Sequence, residues 1–594
     1  MARRRERDES PFVLGLSGKS GSGFDTDCAG ILSKRGFVLV RVTDQADRAW
    51  AFAAVRRRMA AHFPEAFALD GHPPHGWIRR PGVLGMLVAD DELKHARMAA
   101  ILRPYLVALV AERVQEAIAS RQCSIAILAE TLVADSLYCL CHAAWFVNRP
   151  DDECQRELEQ RYRTRTDLAP GYVEEKLRRI AQWNRDIVVP GGYFPYDAVL
   201  EHADNGPSLE GQMAQAFRGL RHSAAVSRPP HPIHPEIVPS PKSAGRGGAL
   251  LLNAAGRGGQ FVRSALALSQ HTRRAIRLTN VAGLERSGCR RDVIVTCARA
   301  CAQLFSGHVT INAERRTLDY EPGDSSPSLL EWEVPANTPL GNVMQTVLPS
   351  LLRGEGRVEL ALRGATELNH GTPMVYYRKV LFPLLARMGA RIQMDVVRHG
   401  FFGGPPGEVR ITVDPVPALR PLVVVDRGAP QTLTLSMTVT ASLADDCRSF
   451  PGEFESFCRE QGFAGAFRQE RAVLDQDHPG CAMSAILETE QSVLGADVGC
   501  DLANERSREG LRAALERLKR RTVALLESPA ALDIMCADKI QSYLAVGGGC
   551  VSVPLAEDLD HLYGQIGLLN SFKANAVRVT LGENYLQLVC GKLP

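Results

Sequence analysis

Two glycine-rich turns hold the residues best suited to chemistry. The first, Gly18-Lys19-Ser20-Gly21-Ser22-Gly23-Phe24-Asp25-Thr26, follows an apolar run, Phe12-Val13-Leu14-Gly15-Leu16, and precedes a helix candidate. Free amides at a helix N-terminus attract anions and glycine lets backbone approach a phosphate closely. Gly18, Lys19, Gly21, Ser22, Gly23 and Thr26 therefore form a candidate phosphate loop. A standard loop of this kind carries lysine where Phe24 stands, which leaves Lys19 as the substitute inside the loop. The second turn, Ala255-Gly256-Arg257-Gly258-Gly259, follows Leu250-Leu251-Leu252-Asn253 and opens a helix whose first turn offers Gln260 and Arg263 as donors. A third candidate, Cys139-Leu140-Cys141-His142, has metal-ligand residue types, but it abuts Ala143-Ala144-Trp145-Phe146-Val147, which reads as a buried strand, so packing is the better reading.

These residues need elements to hold them. The run Phe12–Leu16, the glycine turn, a helix and a second strand at Phe37-Val38-Leu39-Val40-Arg41-Val42 make the opening of a parallel α/β domain. Helical patterns follow at 91–122 and 151–184. A proline-rich stretch containing Ser227-Arg228-Pro229-Pro230-His231-Pro232 removes too many backbone donors for a helix or central strand, so residues 223–248 read as a linker. Beyond it strands alternate with helix candidates at 260–270, 292–305, 341–352 and 375–388. The expected organisation is an α/β domain at 11–222, the linker, and an α+β domain at 249–594 made of repeated βαβ units with an insert at about 431–521.

Length and composition agree. A chain of 594 residues exceeds what one core organises. With 45% hydrophobic and 23% charged residues and a mean hydropathy of -0.11, it reads as folded and water-soluble. No apolar run is long enough for a membrane span, and the charged start Met1-Ala2-Arg3-Arg4-Arg5 lacks a secretory core, so the expected location is the cytoplasm. The 15 cysteines show no paired C-x-x-C framework, which argues against a disulfide scaffold or structural zinc. A net charge of +3 means that any nucleic-acid contact must be local.

From the second glycine turn onward the sequence resembles the RNA 3'-terminal phosphate cyclases. Leu250–Ser269 looks like that family's opening strand, turn and helix; Pro335-Ala336-Asn337-Thr338-Pro339 leads into Gln345-Thr346-Val347-Leu348-Pro349, like its glutamine-bearing helix. Arg398-His399-Gly400-Phe401-Phe402-Gly403-Gly404-Pro405-Pro406-Gly407 is similar to its signature segment, although prolines stand where the family has glycines. Here His399 reads as a turn residue. Ala537-Asp538-Lys539 and Asp560-His561-Leu562-Tyr563-Gly564-Gln565-Ile566 close the series. The resemblance implies that His561 is the nucleophile that attacks the α-phosphorus of ATP, with Asp538 supporting it, and that Gln260, Arg263, Gln345 and Arg291 contact the nucleotide or the RNA end. It also implies ATP and RNA 3' ends as partners and a divalent cation, Mg2+ or Mn2+. Val281 and Leu284 stand where the family has arginines, with Arg286, Arg290 and Arg291 as nearby substitutes.

The N-terminal part resembles dephospho-coenzyme A kinase and related P-loop nucleotide kinases, through the loop, Asp44 after the second strand, Arg80, and a lid-like run with Arg161, Arg163 and Arg165. By that resemblance Asp44 lies near an acceptor hydroxyl and Arg163 near the transferring phosphate. Three readings stay open: an active ATP-dependent cyclase, a catalytically silent RNA-binding or assembly protein on the same fold, and a bifunctional kinase-cyclase.

Overall fold

In a computed structural model the described residues are 12–69, 77–79, 92–120, 122, 124–130, 137–163, 173–174, 177–178, 180–181, 196, 198–226, 249–254, 257–284, 289–325, 328–335, 338–354, 356–367, 371–401, 404–476, 478–501, 507–555, 559–573 and 576–593. They divide into two compact units, residues 1–244 with 555–567 and 579–583, and residues 245–554 with 568–578 and 584–594.

The first unit is built on a parallel sheet. Phe12–Gly18 lies at its centre, flanked by Ser124–Leu128 and then Val38–Arg41 on one side, and by Ala143–Asn148 and then Ala198–Glu201 on the other. Strands covered on both faces read as continuous apolar runs, as Val13–Gly18 and Ala143–Val147 do. Val42 differs from expectation: the strand ends at Arg41, and Val42 opens the helix Val42–Trp50. The polar run Thr43-Asp44-Gln45 cannot continue a buried strand, whereas an acid suits a helix's first turn. Cys141 is buried, and the His142 ring accepts from Val13 N at 3.0 Å, so that motif packs and braces the sheet. Helix Leu209–Val226 runs into the segment read as linker; 227–248 lie outside the described residues.

From Leu250 onward the chain uses one pattern three times: strand, helix, strand, helix, two strands, with the last strand lying between the second and third. The first instance runs Leu250–Asn253, Gly258–Thr272, Ile276–Thr279, Cys289–Phe305, His308–Asn312, Thr317–Glu321. The second runs from Leu329–Glu333 to Gly407–Asp414, with the helix Leu340–Leu351 after its first strand. The third runs from Leu422–Val424 to Tyr585–Cys590. Each first pair of strands is parallel, which requires a crossover, and the helix supplies it. The helices Gly258–Thr272, Leu340–Leu351 and Ile534–Gly547 pack on one another, so nearly every residue from Gln260 to Gln270 is buried, polar ones included.

Between Leu422–Val424 and Ile534–Gly547 the chain makes an excursion. Pro430–Thr440, Ala466–Leu474, Gly480–Thr489 and Val493–Asp501 form a separate sheet, and Phe450–Glu460 and Ser507–Glu527 are its helices. Its own core includes Leu433, Phe450, Phe454, Met483 and Leu515. Arg427 donates to the carbonyls of Leu525 and Leu526, fastening the two ends of this insert to each other.

Candidate functional site

Helix Gly258–Thr272 sets the geometry of the second unit's polar cluster. Gly258, at φ +69°, opens it in a conformation that favours glycine, and residues 255 and 256 lie outside the described set. Gln260 and Arg263, three apart, share one face. Arg263 Nη2 donates to Gln260 Oε1 at 2.7 Å and Nε donates to Gln345 Oε1 at 3.2 Å. Gln260 Nε2 in turn donates to the backbone oxygen of Asp538 at 3.2 Å. Four residues from three helices thus meet in one hydrogen-bonded chain. Burial lowers the Arg263 pKa, opposed by the nearby Cys297, Tyr377 and Asp538. Gln345 is buried and its Nε2 has no hydrogen-bond partner among the described residues. A buried unpaired donor is costly, and a phosphate oxygen would satisfy it.

Arg291 is half-buried near the start of Cys289–Phe305 and is not joined by those bonds. His399 Nδ1 lies 3.1 Å from Glu367 Oε1, and its backbone oxygen accepts from Gln476 Nε2 at 2.9 Å, contacts that suit the expected turn role. Glu367 is buried; burial raises its pKa while His399 and Thr366 oppose the shift. Residues 402–403 of the signature segment lie outside the described residues. His561 is exposed, second in the helix Asp560–Phe572, and falls in the stretch grouped with the first unit. Sequence reasoning missed Lys539, Asp497 and Asp533. The signal for Asp497 was an acid in the middle of the apolar run Val493-Leu494-Gly495-Ala496-Asp497-Val498 of the strand Val493–Asp501.

The glycine loop of the first unit is different. Gly21 and Gly23 have φ of +84° and +86°, and a Cβ on Gly21 would lie 2.6 Å from the Cys154 oxygen. Lys19, the expected substitute lysine, pairs with Asp151 at 2.5 Å and is buried. Arg149 donates to the Gly21 oxygen and to Asp204, each at 3.0 Å. Ser22 is buried, its carbonyl oxygen 2.6 Å from the His202 ring, and Thr26 is exposed. Phe24 belongs to the apolar core with Leu16, Leu32 and Trp145. Asp25 occupies the place where a standard loop has a metal-binding hydroxyl. Asp44 is exposed, Arg163 ends the helix Asp151–Arg163, and Arg80 lies outside the described residues.

Among the described residues no three histidine, cysteine, aspartate or glutamate side chains group so as to hold a metal ion, and no helix is long and apolar enough to cross a membrane. A protein cage for the expected divalent cation is therefore not formed by these residues.

From Leu250 onward the chain has an α+β architecture of three βαβαββ repeats, with an insertion in the third. The family model described as RNA 3'-terminal phosphate cyclase matches residues 255–579, more than half of the chain, and the chain belongs to that family. An RNA 3'-terminal phosphate cyclase of Salmonella agona is 28% identical over 344 residues, covering 56% of this chain and 94% of its own. One from Halobacterium salinarum is 27% identical over 344 residues, covering 54% and 94%. Among solved structures, a dephospho-CoA kinase from Campylobacter jejuni matches 35% of this chain and 96% of its own, with 11% identity and a TM-score of 0.20.

Proposed function

We propose that this chain is an ATP-dependent enzyme that converts an RNA 3'-terminal phosphate into a 2',3'-cyclic phosphate. The observation that carries this reading is the part-buried chain Asp538–Gln260–Arg263–Gln345, in which family-matched blocks far apart in sequence converge on one face of Gly258–Thr272. A guanidinium held by neutral amides, beside an amide nitrogen without a partner among the described residues, suits phosphate oxygens. In this reading a neutral His561 imidazole attacks the α-phosphorus of ATP and pyrophosphate leaves. An oxygen of the RNA 3'-phosphate then takes the AMP, freeing His561, and the 2'-hydroxyl closes on the 3'-phosphorus as AMP departs with the bonding pair. A divalent ion would travel with the triphosphate, as such ions commonly keep few protein ligands.

The test is incubation of the full chain with α-labelled ATP and magnesium or manganese, then a denaturing gel and a cyclisation assay on 3'-phosphorylated RNA. An acid-labile, alkali-stable adduct that disappears in His561→Ala supports the reading. No adduct and no cyclisation in folded protein would hand the case to the silent binding or assembly reading. Phe24 in the core and Lys19 paired with Asp151 support a first unit that keeps a kinase-like loop without transferring phosphoryl groups, against the bifunctional reading.

A further inference from the structure

The first unit takes in two stretches from near the end of the chain, Leu555–Gly567, which carries His561, and Val579–Glu583. Amino-terminal residues of the same unit hold both. Much of that hold comes from one helix, Glu92–Ala119. Ile101, Tyr105 and Leu109, four apart, are buried on one face and join Val55, Met59 and Phe63 in an apolar core. Glu112 and Gln115 continue the same stripe, half-buried. Leu555 and Leu581 pack against this core.

Val577–Leu581 is an edge strand, and the alternate backbone N–H groups of an edge need acceptors from outside the ladder. Leu581 N donates to Glu112 Oε1 at 2.6 Å and Val579 N donates to Gln115 Oε1 at 2.9 Å, two residues apart on the strand and three apart on the helix. Beyond the strand, Glu583 Oε1 accepts from Ala54 N at 2.8 Å, in the first turn of the helix Ala53–His62, and the Tyr105 hydroxyl donates to the Glu583 backbone oxygen at 3.1 Å. A carboxylate there satisfies an amide that the helix itself leaves unpaired. Tyr563, two residues after His561, is buried, and burial and then the charge of Glu112 raise its pKa. His561 itself is exposed.

We propose that the helix Glu92–Ala119 is a positioning element for His561, gripping the chain before the histidine through the core that Leu555 joins and after it through Glu112 and Gln115. That His561 is the nucleophile rests on the cyclase reading above. The amino-terminal residues then serve the cyclase reaction through this helix, whether or not their glycine loop transfers phosphoryl groups. Glu112 and Gln115 act as hydrogen-bond acceptors, so a neutral amide oxygen can do what the Glu112 carboxylate does.

The experiment compares the full chain with a variant carrying Glu112→Ala and Gln115→Ala together, with Glu112→Gln, and with Arg113→Ala, whose side chain pairs with Glu116 on the exposed side of the helix. Hydrogen exchange read by mass spectrometry over residues 555–567 and 577–583 becomes about tenfold faster or more in the double variant and stays as in the wild type in the other two. Labelling with α-labelled ATP is followed against ATP concentration. In the double variant the maximal rate of adduct formation falls about tenfold or more while the KM for ATP is unchanged, because the nucleophile moves and the nucleotide contacts do not. Glu112→Gln keeps most of the rate. Should the double variant fail to fold, Gln115→Ala alone carries the same expectation at about fivefold. Unchanged exchange or an unchanged maximal rate in the folded variant overturns the proposal, as does a loss in Glu112→Gln as large as in the double variant. Absence of any adduct in the wild type sinks the cyclase reading instead, while hydrogen exchange still judges the hold.

Discussion

The turns at Gly18–Gly23 and Gly258–Gly259 both stand between a strand and a helix, and in sequence both are places for a phosphate, yet their surroundings differ in kind. Around the first, cations are matched by acids of the same chain: Lys19 by Asp151, and Arg149 by Asp204 and Glu153. Around the second, Arg263 is hydrogen-bonded to two neutral glutamine oxygens, and Gln345 keeps a donor without a partner among the described residues. A glycine turn reports backbone shape. Whether an anion is wanted depends on the charge balance of the side chains around it, which backbone shape does not reveal.

The sharpest way to break this comparison is to exchange the roles. His561→Ala should abolish the AMP adduct completely, whereas Lys19→Ala should leave it intact, both read by α-label on a denaturing gel; loss of label in Lys19→Ala would mean that the first loop serves the reaction. Phe24→Lys restores the standard motif but drives an ammonium into the cluster of Leu16, Leu32 and Trp145. It should destabilise the protein by about 3 kcal/mol or more in denaturant unfolding, without creating phosphotransferase activity. A stable variant that transfers phosphoryl groups would show that the loop lacked only its lysine.

Arg263→Ala removes the donor to both glutamines and should weaken binding of ATP or the RNA end by about 1.5–3 kcal/mol, against near zero for the exposed Arg273→Ala. Equal losses in a binding titration would put the anion site elsewhere. The smallest effect concerns acid. His271, at the far end of the same helix, is pushed down to about 4 by burial and then by Arg353 and Arg273. Its folded value lies below its unfolded one, so the stability it contributes is present above about pH 6.5 and is lost as pH falls towards 4. Allowing for its partial exposure, His271→Gln should flatten about 2 kcal/mol of that decline in melts between pH 7 and 4. An unchanged decline would place the acid-sensitive group elsewhere.

Much of the second unit's cluster was legible because Gln260, Arg263, Gln345 and Asp538 stand in distinctive blocks whose order could be matched. Asp497 was not, since an acid inside an apolar strand acquires meaning only when a helix from a later segment packs against it. Phe24 was legible as a missing lysine but not as a core residue, because burial depends on what Leu32 and Trp145 bring from other elements. The threefold strand order was equally hidden: Leu250–Asn253 has four residues and Leu422–Val424 three, too short for any periodicity to register.

The position of the insert bears on how the chain reaches this structure. Leu422 pairs with Gly549, so the third sheet must close a loop of more than about a hundred residues, and that closure comes with an entropy penalty that grows with length. The insert has its own core and Arg427 fastens its ends together. If it condenses first, the open loop shrinks to about thirty residues and the closure penalty falls by about 1 kcal/mol. On that ground the order of events is insert before third sheet, and Arg427→Ala should slow refolding more than it speeds unfolding.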